Sequence, residues 1–251
     1  MSKGLTYKIQ SDDICIVAYP KSGNNYLLFL IGTLLYRKKI DWANRFEFIQ
    51  RLKEEMVDNL PSPHLVWSHE SYDFTYPKVI YLVRDPRDIV ISYYFHHLKY
   101  LGEGSKLMFN EFNEFFEKFL LGNVWPGMWD ESVESWITNQ KNVKNGFLLV
   151  KYEDLLIDTS REVYRLLKFL NLDRTDEEIQ EAIDWASFDN MKSLEVKQKE
   201  PLNPSEFNDR NIPFVREGRV GGWKSFLNKE QQQIINQKFY STLLKMEYKV
   251  T

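Results

Sequence analysis

Residues 14–35 read I-C-I-V-A-Y-P-K-S-G-N-N-Y-L-L-F-L-I-G-T-L-L, and this stretch decides the fold. The run from Ile14 to Ala18 is almost wholly apolar, a pattern typical of a strand buried on both faces. A proline and a glycine break the run, and the apolar residues beyond them predict a helix with Asn24 or Asn25 as its N-cap. A strand, a polar turn and a helix start form an anion-binding cradle, because the first N–H groups of a helix have no intrahelical partner.

The polar turn offers Lys21, Ser22 and two asparagine amides as further donors to an anion. It is not a Walker A loop, because its lysine precedes the glycine and G-x-x-x-x-G-K-[ST] is absent. An ordinary strand-to-helix turn with a solvated lysine fits these residues equally well. The stretch by itself leaves both interpretations open.

Length and composition indicate a globular protein without a global affinity for nucleic acid. The 251 residues are 43% hydrophobic and 27% charged, with a net charge of −3, so no basic field points to a nucleic acid partner. The length suits one α/β domain with a large core, and it would also allow two smaller domains. Aromatic residues make up 15% of the chain. They either line a pocket for an apolar ligand or pack in the hydrophobic core.

Cysteine and hydropathy patterns predict a cytoplasmic protein. The single cysteine, Cys15, excludes an internal disulfide framework, and its place in the first strand predicts a buried thiol. We find no apolar run of about 18 residues and no signal-peptide pattern, so we expect no membrane partner.

Two further apolar runs predict parallel strands that end in polar side chains. Residues 65–68 predict a strand that delivers His69 at or just past its carboxyl end, where ligands bind in open α/β sheets. Residues 78–84 form the clearest strand, and a helix follows it at a proline. The turn between them carries Arg84, and Ser92 lies about one helical turn beyond it. Pairing of Arg84 with a neighbouring aspartate is the alternative.

Strand and helix alternate along the rest of the chain, which predicts a single domain, residues 1–251, with a mostly parallel central sheet flanked by helices. Amphipathic spacing predicts a helix in residues 40–60, and a capping box of Thr175 and Glu178 begins another that runs to about Ala186. The further predicted elements are helices at residues 110–121 and 160–170, one ending at Trp136, a strand at residues 147–152, and a closing amphipathic helix.

Residues 197–215 are polar and rich in proline and asparagine, and we interpret them as a mobile lid or binding loop. They lead into R-E-G-R-V-G-G-W-K, residues 216–224. Three separated segments thus carry anion-binding side chains, which suggests a ligand with anionic groups at both ends. The three segments are residues 21–25, Arg84 with Ser92, and residues 216–218.

These motifs together resemble the cytosolic sulfotransferase family, which uses 3′-phosphoadenosine 5′-phosphosulfate (PAPS). Y-P-K-S-G-N-N-Y at residues 19–26 is similar to the family's 5′-phosphosulfate loop, usually Y-P-K-S-G-T-T-W. V-R-D-P-R-D-I-V-I-S-Y-Y at residues 83–94 is similar to its 3′-phosphate segment, and residues 216–224 to its third signature, R-K-G-x-x-G-D-W-K. K-F-L-L-G-N-V-W-P-G-M-W and V-K-Y-E-D-L also match, in the correct order. The resemblance covers about residues 13–227.

The resemblance implies a P-loop-like fold and transfer of a sulfuryl group from PAPS to a hydroxyl, phenolic or alcoholic, of a small and largely apolar acceptor. It implies that His69, in W-S-H where the family has K-T-H, is the general base. Lys21 would stabilise the bridging oxygen as the sulfuryl group leaves, and Ser92 joins these two in the catalytic set. The implied nucleotide contacts are Lys21, Ser22, Gly23, Asn24 and Asn25 for the 5′-phosphosulfate; Arg84, Ser92, Arg216, Glu217 and Gly218 around the 3′-phosphate; and Tyr26, Tyr152 and Phe188 for the adenine.

The chain departs from the family pattern in several places. Trp67 stands where the family has a lysine two residues before the base, which removes a positive charge and puts the rate in doubt. Glu217 replaces a lysine and should weaken the grip on the 3′-phosphate. Asn24 and Asn25 replace a threonine pair, although their amides can still donate. The family's C-terminal dimer motif is not reproduced after Lys224, so the oligomeric state is left open.

Two other functions fit parts of the sequence. A catalytically silent PAPS-binding protein would explain Trp67 and Glu217, whereas a P-loop kinase would need ATP, Mg²⁺ and the missing Walker A loop. We expect no metal, because no His, Cys and carboxylate cluster has ligand spacing. The rival bases are His64, His96 and His97, and the acceptor pocket is expected from residues 40–64, 99–136 and 197–215.

Overall fold

The computed structural model of the chain describes residues 6–55, 59–100, 111–198 and 211–250. Its centre is a five-stranded sheet with the order β2-β3-β1-β4-β5, in which every neighbouring pair is parallel. This confirms the predicted α/β fold with a parallel central sheet. The strands are β1 (Ile14–Ala18), β2 (Ile49–Arg51), β3 (Leu65–Ser68), β4 (Lys78–Val83) and β5 (Phe147–Lys151).

β1 is the middle strand, and all five of its residues are buried. Ile14 pairs with Leu65 of β3 on one side and with Lys78 of β4 on the other. Helices cover both faces of the sheet, so that Cys15 and Val17 pack into one apolar cluster and Ile14 and Ile16 into the other. This double burial explains why β1 is a continuous apolar run rather than an alternating one.

The helices flank the sheet on its two faces, as predicted. α1 packs with α6 and α7 over one face, and α2, α3 and α4 cover the other with the C-terminal helices. The predicted capping box is confirmed, since Thr175 Oγ1 accepts from the Glu178 amide and the Glu178 carboxylate accepts from the Thr175 amide at 3.0 Å. The helices are α1 (Asn24–Tyr36), α2 (Pro86–Tyr100), α3 (Phe112–Leu120), α4 (Trp129–Asn139), α5 (Tyr152–Ile157), α6 (Thr159–Leu170), α7 (Asp176–Ala186), α8 (Phe188–Gln198), α9 (Trp223–Phe226), α10 (Lys229–Lys238) and α11 (Tyr240–Lys245).

The helix predicted in residues 40–60 is wrong. The segment contains a 3₁₀ turn at Arg45–Glu47 and then strand β2, whose Ile49 pairs with Leu65. Residues 56–58 lie outside the described part of the chain. The apolar spacing was misleading because the open edge of β3 offers backbone partners to a three-residue strand, and burial of Ile49 there outweighs helix propensity.

Smaller differences concern the ends of elements. The N-cap of α1 is Gly23, with φ of +105° and no side-chain cap, so neither asparagine caps the helix. Two short helices, α10 and α11, replace the single closing helix. Most of the predicted lid, residues 199–210, lies outside the described residues. Within the described residues, no helix is both long and apolar enough to cross a membrane.

The parallel sheet brings the polar side chains of the sequence motifs to one edge. β1 ends before the turn that carries Lys21, and β3 ends immediately before His69. β4 ends before Arg84, and β5 ends before Tyr152. Ligands in open α/β sheets bind at this carboxyl edge, so the fold places the candidate residues where a ligand can reach all of them.

Candidate active site

A cavity of about 790 Å³ opens at the carboxyl edge of the sheet. Lys21, Arg84 and Arg216, which are far apart in sequence, all line it together with His69. Ser22 is the exception among the expected residues, because its side chain is buried beneath the turn rather than in the cavity wall. The expected residues that line the cavity are Lys21, Gly23, Asn24, Asn25, Tyr26, His69, Arg84, Ser92, Tyr152, Phe188, Arg216, Glu217 and Gly218.

The turn after β1 is bent so that its backbone reaches the cavity. Lys21 has φ of +68° and Gly23 has φ of +105°. A Cβ at Gly23 would lie 2.5 Å from Cδ2 of Tyr152, so only glycine fits between this turn and the tyrosine ring. The ammonium of Lys21 lies 4.5 Å from the ring centroid of Phe214.

The cations of the cavity repel one another. Burial, together with the positive charges of Arg84 and Arg216, lowers the pKa of Lys21 to about 7. Burial also lowers the pKa of Arg216. An anionic group between these side chains would reverse the effect, because opposite charge favours the protonated form.

Polar atoms at the start of α1 have no partner among the described residues. These are the buried Oγ of Ser22 and both amide atoms of Asn24, and α1 has no side-chain cap. Asn25 is held differently, because its Oδ1 accepts from Nη1 of the buried Arg45 at 3.1 Å. Buried polar groups are normally satisfied, so the start of α1 fits a ligand that carries several acceptor oxygens.

Arg84 connects two of the anion-binding segments. Its Nη1 donates to the Lys21 carbonyl at 3.1 Å and its Nη2 to the Arg219 carbonyl at 3.2 Å. Its guanidinium carbon lies 4.4 Å from the ring centroid of Tyr152. Nε is buried and has no partner in the described part of the chain. The backbone therefore positions Arg84 through two of its five N–H groups, and three are left for a ligand.

The segment after residue 215 is attached to α2 by one carboxylate. Asp88 accepts from the Gly221 amide at 2.7 Å and from the Trp223 amide at 2.9 Å. Gly218 has φ of +58°, and a Cβ there would lie 2.2 Å from Cδ2 of Phe188. The backbone therefore lies directly against the phenylalanine ring, one of the expected adenine contacts.

Glu217 bridges two arginines in this segment. Its carboxylate accepts from Arg216 Nη1 and, at 2.7 Å, from Arg219 Nε. Arg216 also lies over the ring of Phe95, with 4.3 Å between the guanidinium carbon and the centroid. The arrangement offers a cation to the cavity, but a carboxylate of the same chain already holds it.

The geometry of His69 suits a general base. Its Nδ1 lies 2.6 Å from the Ala18 carbonyl oxygen, and since a carbonyl only accepts, Nδ1 carries the proton and Nε2 has a free lone pair. Burial lowers the pKa of His69 to about 4, so the ring is neutral at neutral pH. Trp67 and Trp125 meet the ring edge-on, with centroid distances of 5.1 and 5.4 Å.

The rival histidines are less suited to this role. His64 lies at the opposite end of the sheet, where its Nδ1 contacts the Tyr7 hydroxyl at 2.7 Å. His97 is buried and packs on Phe115. His96 lines the cavity, but burial lowers its pKa to about 2, and its buried Nδ1 has no partner among the described residues to orient the ring.

The cavity wall also includes aromatic side chains and the ion pair of Arg51 with Glu54. Phe46, Trp125 and Phe214 line it, one from each segment expected to build the acceptor pocket. Sequence reasoning missed Arg51 and Glu54, which line the same cavity and pair at 2.7 Å between Arg51 Nη1 and Glu54 Oε1. No motif marks them, because β2 is too short to show strand periodicity.

Comparison with known proteins decides the family. The family model described as Sulfotransferase domain matches residues 11–247. The chain belongs to the sulfotransferase family. It is 30% identical to sulfotransferase 1E1 of Bos taurus over 97% of this chain and 89% of the relative, and 29% identical to the amine sulfotransferase of Oryctolagus cuniculus over 93% and 81%. The family resemblance and the predicted enzyme class are thus confirmed.

Solved structures agree on the fold. Mouse sulfotransferase SULT7A1 complexed with PAP has a TM-score of 0.73 at 24% identity, covering 94% of this chain and 85% of that one. Retinol dehydratase, in complex with androsterone and the inactive cofactor PAP, has a TM-score of 0.75 at 18% identity, covering 94% and 82%. Among the residues described for this sulfotransferase, no cluster of three or more His, Cys, Asp or Glu side chains could hold a metal ion.

Proposed function

We propose that this sulfotransferase moves a sulfuryl group from PAPS to a hydroxyl of a small, largely apolar acceptor. The observation that supports this most is that Lys21, Arg84 and Arg216 line one cavity with a neutral, oriented His69. PAPS carries anionic groups at its 5′ and 3′ positions, and the three cations come from separate segments that meet there. The aromatic side chains in the cavity wall suit an apolar acceptor.

The proposed nucleotide contacts follow the three segments. The uncapped start of α1, with Lys21 and the unpartnered side chain of Asn24, would hold the 5′-phosphosulfate. Ser22 belongs to the same turn and is proposed with it, although its unpartnered hydroxyl is buried and does not line the cavity. Arg84 would hold the 3′-phosphate through the N–H groups that the two carbonyls do not use. The other contacts we propose are Gly23 and Asn25 at the 5′ end, Ser92, Arg216, Glu217 and Gly218 around the 3′ end, and Tyr26, Tyr152 and Phe188 at the adenine.

The proposed reaction is an in-line displacement at sulfur. Nε2 of His69 takes the proton of the acceptor hydroxyl, and the acceptor oxygen forms the new bond to sulfur. The bond between sulfur and the bridging oxygen breaks, and PAP leaves with the electron pair. Lys21 stabilises the charge on that oxygen, with Ser92 nearby in the cavity wall. Atoms and charge balance without another reactant.

The test is a transfer assay with PAPS and a panel of phenols and alcohols, combined with equilibrium binding of PAP. We expect His69→Ala to lower turnover at least about a hundredfold with PAP affinity little changed. His96→Ala is the control in the same cavity and should keep most of the turnover. Near-normal turnover of His69→Ala would contradict the assignment of the base.

The silent binding protein predicts a different result from the same assay. It is favoured by the pairing of Glu217 with Arg216, which weakens one phosphate contact. Tight binding of PAP without transfer to any acceptor would support it over the enzyme. Transfer that depends on ATP and Mg²⁺ instead of PAPS would refute both.

A further inference from the structure

The ring of Trp67 lies against both Arg51 and the proposed general base, His69. In the sheet Arg51 of β2 lies opposite Trp67 of β3, and the Leu52 amide donates to the Trp67 carbonyl at 3.1 Å. The guanidinium carbon of Arg51 lies 4.9 Å from the centroid of the Trp67 ring. That ring in turn meets His69 edge-on at 5.1 Å. Strand pairing and stacking therefore fix the cation near the base.

Arg51 and His69 also share open space. Both line the main cavity, and both line a smaller recess of about 240 Å³ beside it, with Trp125 between the two spaces. An acceptor oxygen that gives its proton to His69 therefore sits within the field of the guanidinium.

We propose that Arg51 stabilises the negative charge that develops on the acceptor oxygen as His69 takes its proton. The inference rests on the sulfuryl transfer proposed above and assigns the acceptor end of that reaction its own cation. Lys21, by contrast, serves the leaving oxygen. Trp67 stands where the family pattern has a lysine, so this position carries no charge. Arg51 of the neighbouring strand places a positive charge beside the base instead.

The ion pair with Glu54 offsets part of this charge but does not occupy the whole guanidinium. It uses one nitrogen of the guanidinium, Nη1, and leaves the other donors to the cavity. The two side chains are 42% and 50% exposed, and exposed pairs of this kind are weak because solvent screens them. An acceptor that enters the cavity can therefore compete with Glu54 for the guanidinium.

Arg51 should also affect the protonation of His69. After burial, the positive charges of Arg51 and Lys21 oppose protonation of the ring. Removal of Arg51 should therefore raise the pKa of His69 and move the acid limb of the kcat/KM profile to higher pH. The titratable and charged groups around His69 are Lys21 after β1, Arg51 in β2, Lys53 and Glu54 after it, Glu70 after β3, and Tyr93 and His96 in α2.

The test compares three variants: Arg51→Gln, Arg51→Lys and the control Lys53→Gln. Lys53 is an exposed cation two residues away that pairs with Glu70 and lines the smaller recess but not the main cavity, so its loss changes the charge equally while the guanidinium of Arg51 stays in place. We expect Arg51→Gln to lower kcat/KM for a phenol about ten- to a hundredfold, with PAP affinity unchanged. Arg51→Lys should recover most of the loss, and Lys53→Gln should stay within about twofold.

An NMR titration of the His69 ring in the protein without nucleotide supplies a readout that needs no turnover. We expect a higher pKa in Arg51→Gln and no change in Lys53→Gln. Equal kinetics of the two Gln variants, or an unmoved His69 titration, would overturn the role of Arg51. These results differ from those expected if the proposed function itself is wrong. In that case the wild-type protein would transfer no sulfuryl group.

Discussion

Replacement of Lys21 by Met should stabilise the protein without nucleotide while it removes activity. Burial and two neighbouring arginines lower the pKa of Lys21 from 10.5 to about 7. A shift of that size corresponds to about 5 kcal/mol of unfavourable free energy in the folded, protonated state. The side chain keeps some exposure to solvent, so we expect about 1–3 kcal/mol to be recovered.

The pH dependence of this effect has a definite sign. The pKa of Lys21 is lower in the folded protein than in the unfolded chain, so between about pH 7 and 10.5 the unfolded chain binds more protons. The destabilisation is complete below pH 7 and disappears as the pH rises towards 10.5. The stability advantage of Lys21→Met should therefore shrink over that interval.

The assay is urea unfolding at several pH values between 6.5 and 9.5, with and without saturating PAP. Lys38→Met, at an exposed lysine beyond the end of α1, is the matched control and should change stability by less than about 0.5 kcal/mol. PAP should reverse the order, because only the wild-type cation gains a phosphate partner. A Lys21→Met protein that is less stable than wild type without PAP, or a gap that does not change with pH, would refute the reasoning.

Two further changes test the segment after residue 215. Gly218→Ala places a Cβ 2.2 Å from Phe188 and should weaken PAP binding, measured by calorimetry, at least about tenfold. The control is Gly221→Ala, where φ is similar but the new Cβ meets no close neighbour. Equal losses of PAP affinity in the two variants would show that backbone strain alone is responsible. Asp88→Ala leaves two backbone amides without their acceptor and should cost about 1–3 kcal/mol in urea unfolding. An unchanged midpoint would show that this carboxylate does not hold the segment.

The features predicted from sequence are those that local pattern determines. β1 is recognisable because burial on both faces leaves a continuous apolar run, and α7 because its capping box is local. Parallel strands share one carboxyl edge, so the convergence of Lys21, His69 and Arg84 also follows from the predicted order of elements. Arg216 follows no strand, and its place in the same cavity was expected from its motif alone.

The features that sequence missed depend on partners distant in the chain. β2 exists because β3 has an open edge, so Arg51 was assigned to a helix and its place beside Trp67 could not be foreseen. The burial of Ser22 and the contact of Gly218 with Phe188 are likewise products of packing between separate elements. Asn24 resembles an N-cap by residue type, but Gly23 takes that position because the turn needs a positive φ.

Given the proposed contact of Arg216 with the nucleotide, the bridge that Glu217 makes between Arg216 and Arg219 affects how the nucleotide is exchanged. A phosphate that binds Arg216 must displace the Glu217 carboxylate, which is held nearby by the chain. The same carboxylate can pair with Arg216 again when the product nucleotide begins to leave. This internal competition lowers the affinity for the nucleotide and speeds the release of the product. The exchange keeps the guanidinium neutralised throughout the cycle.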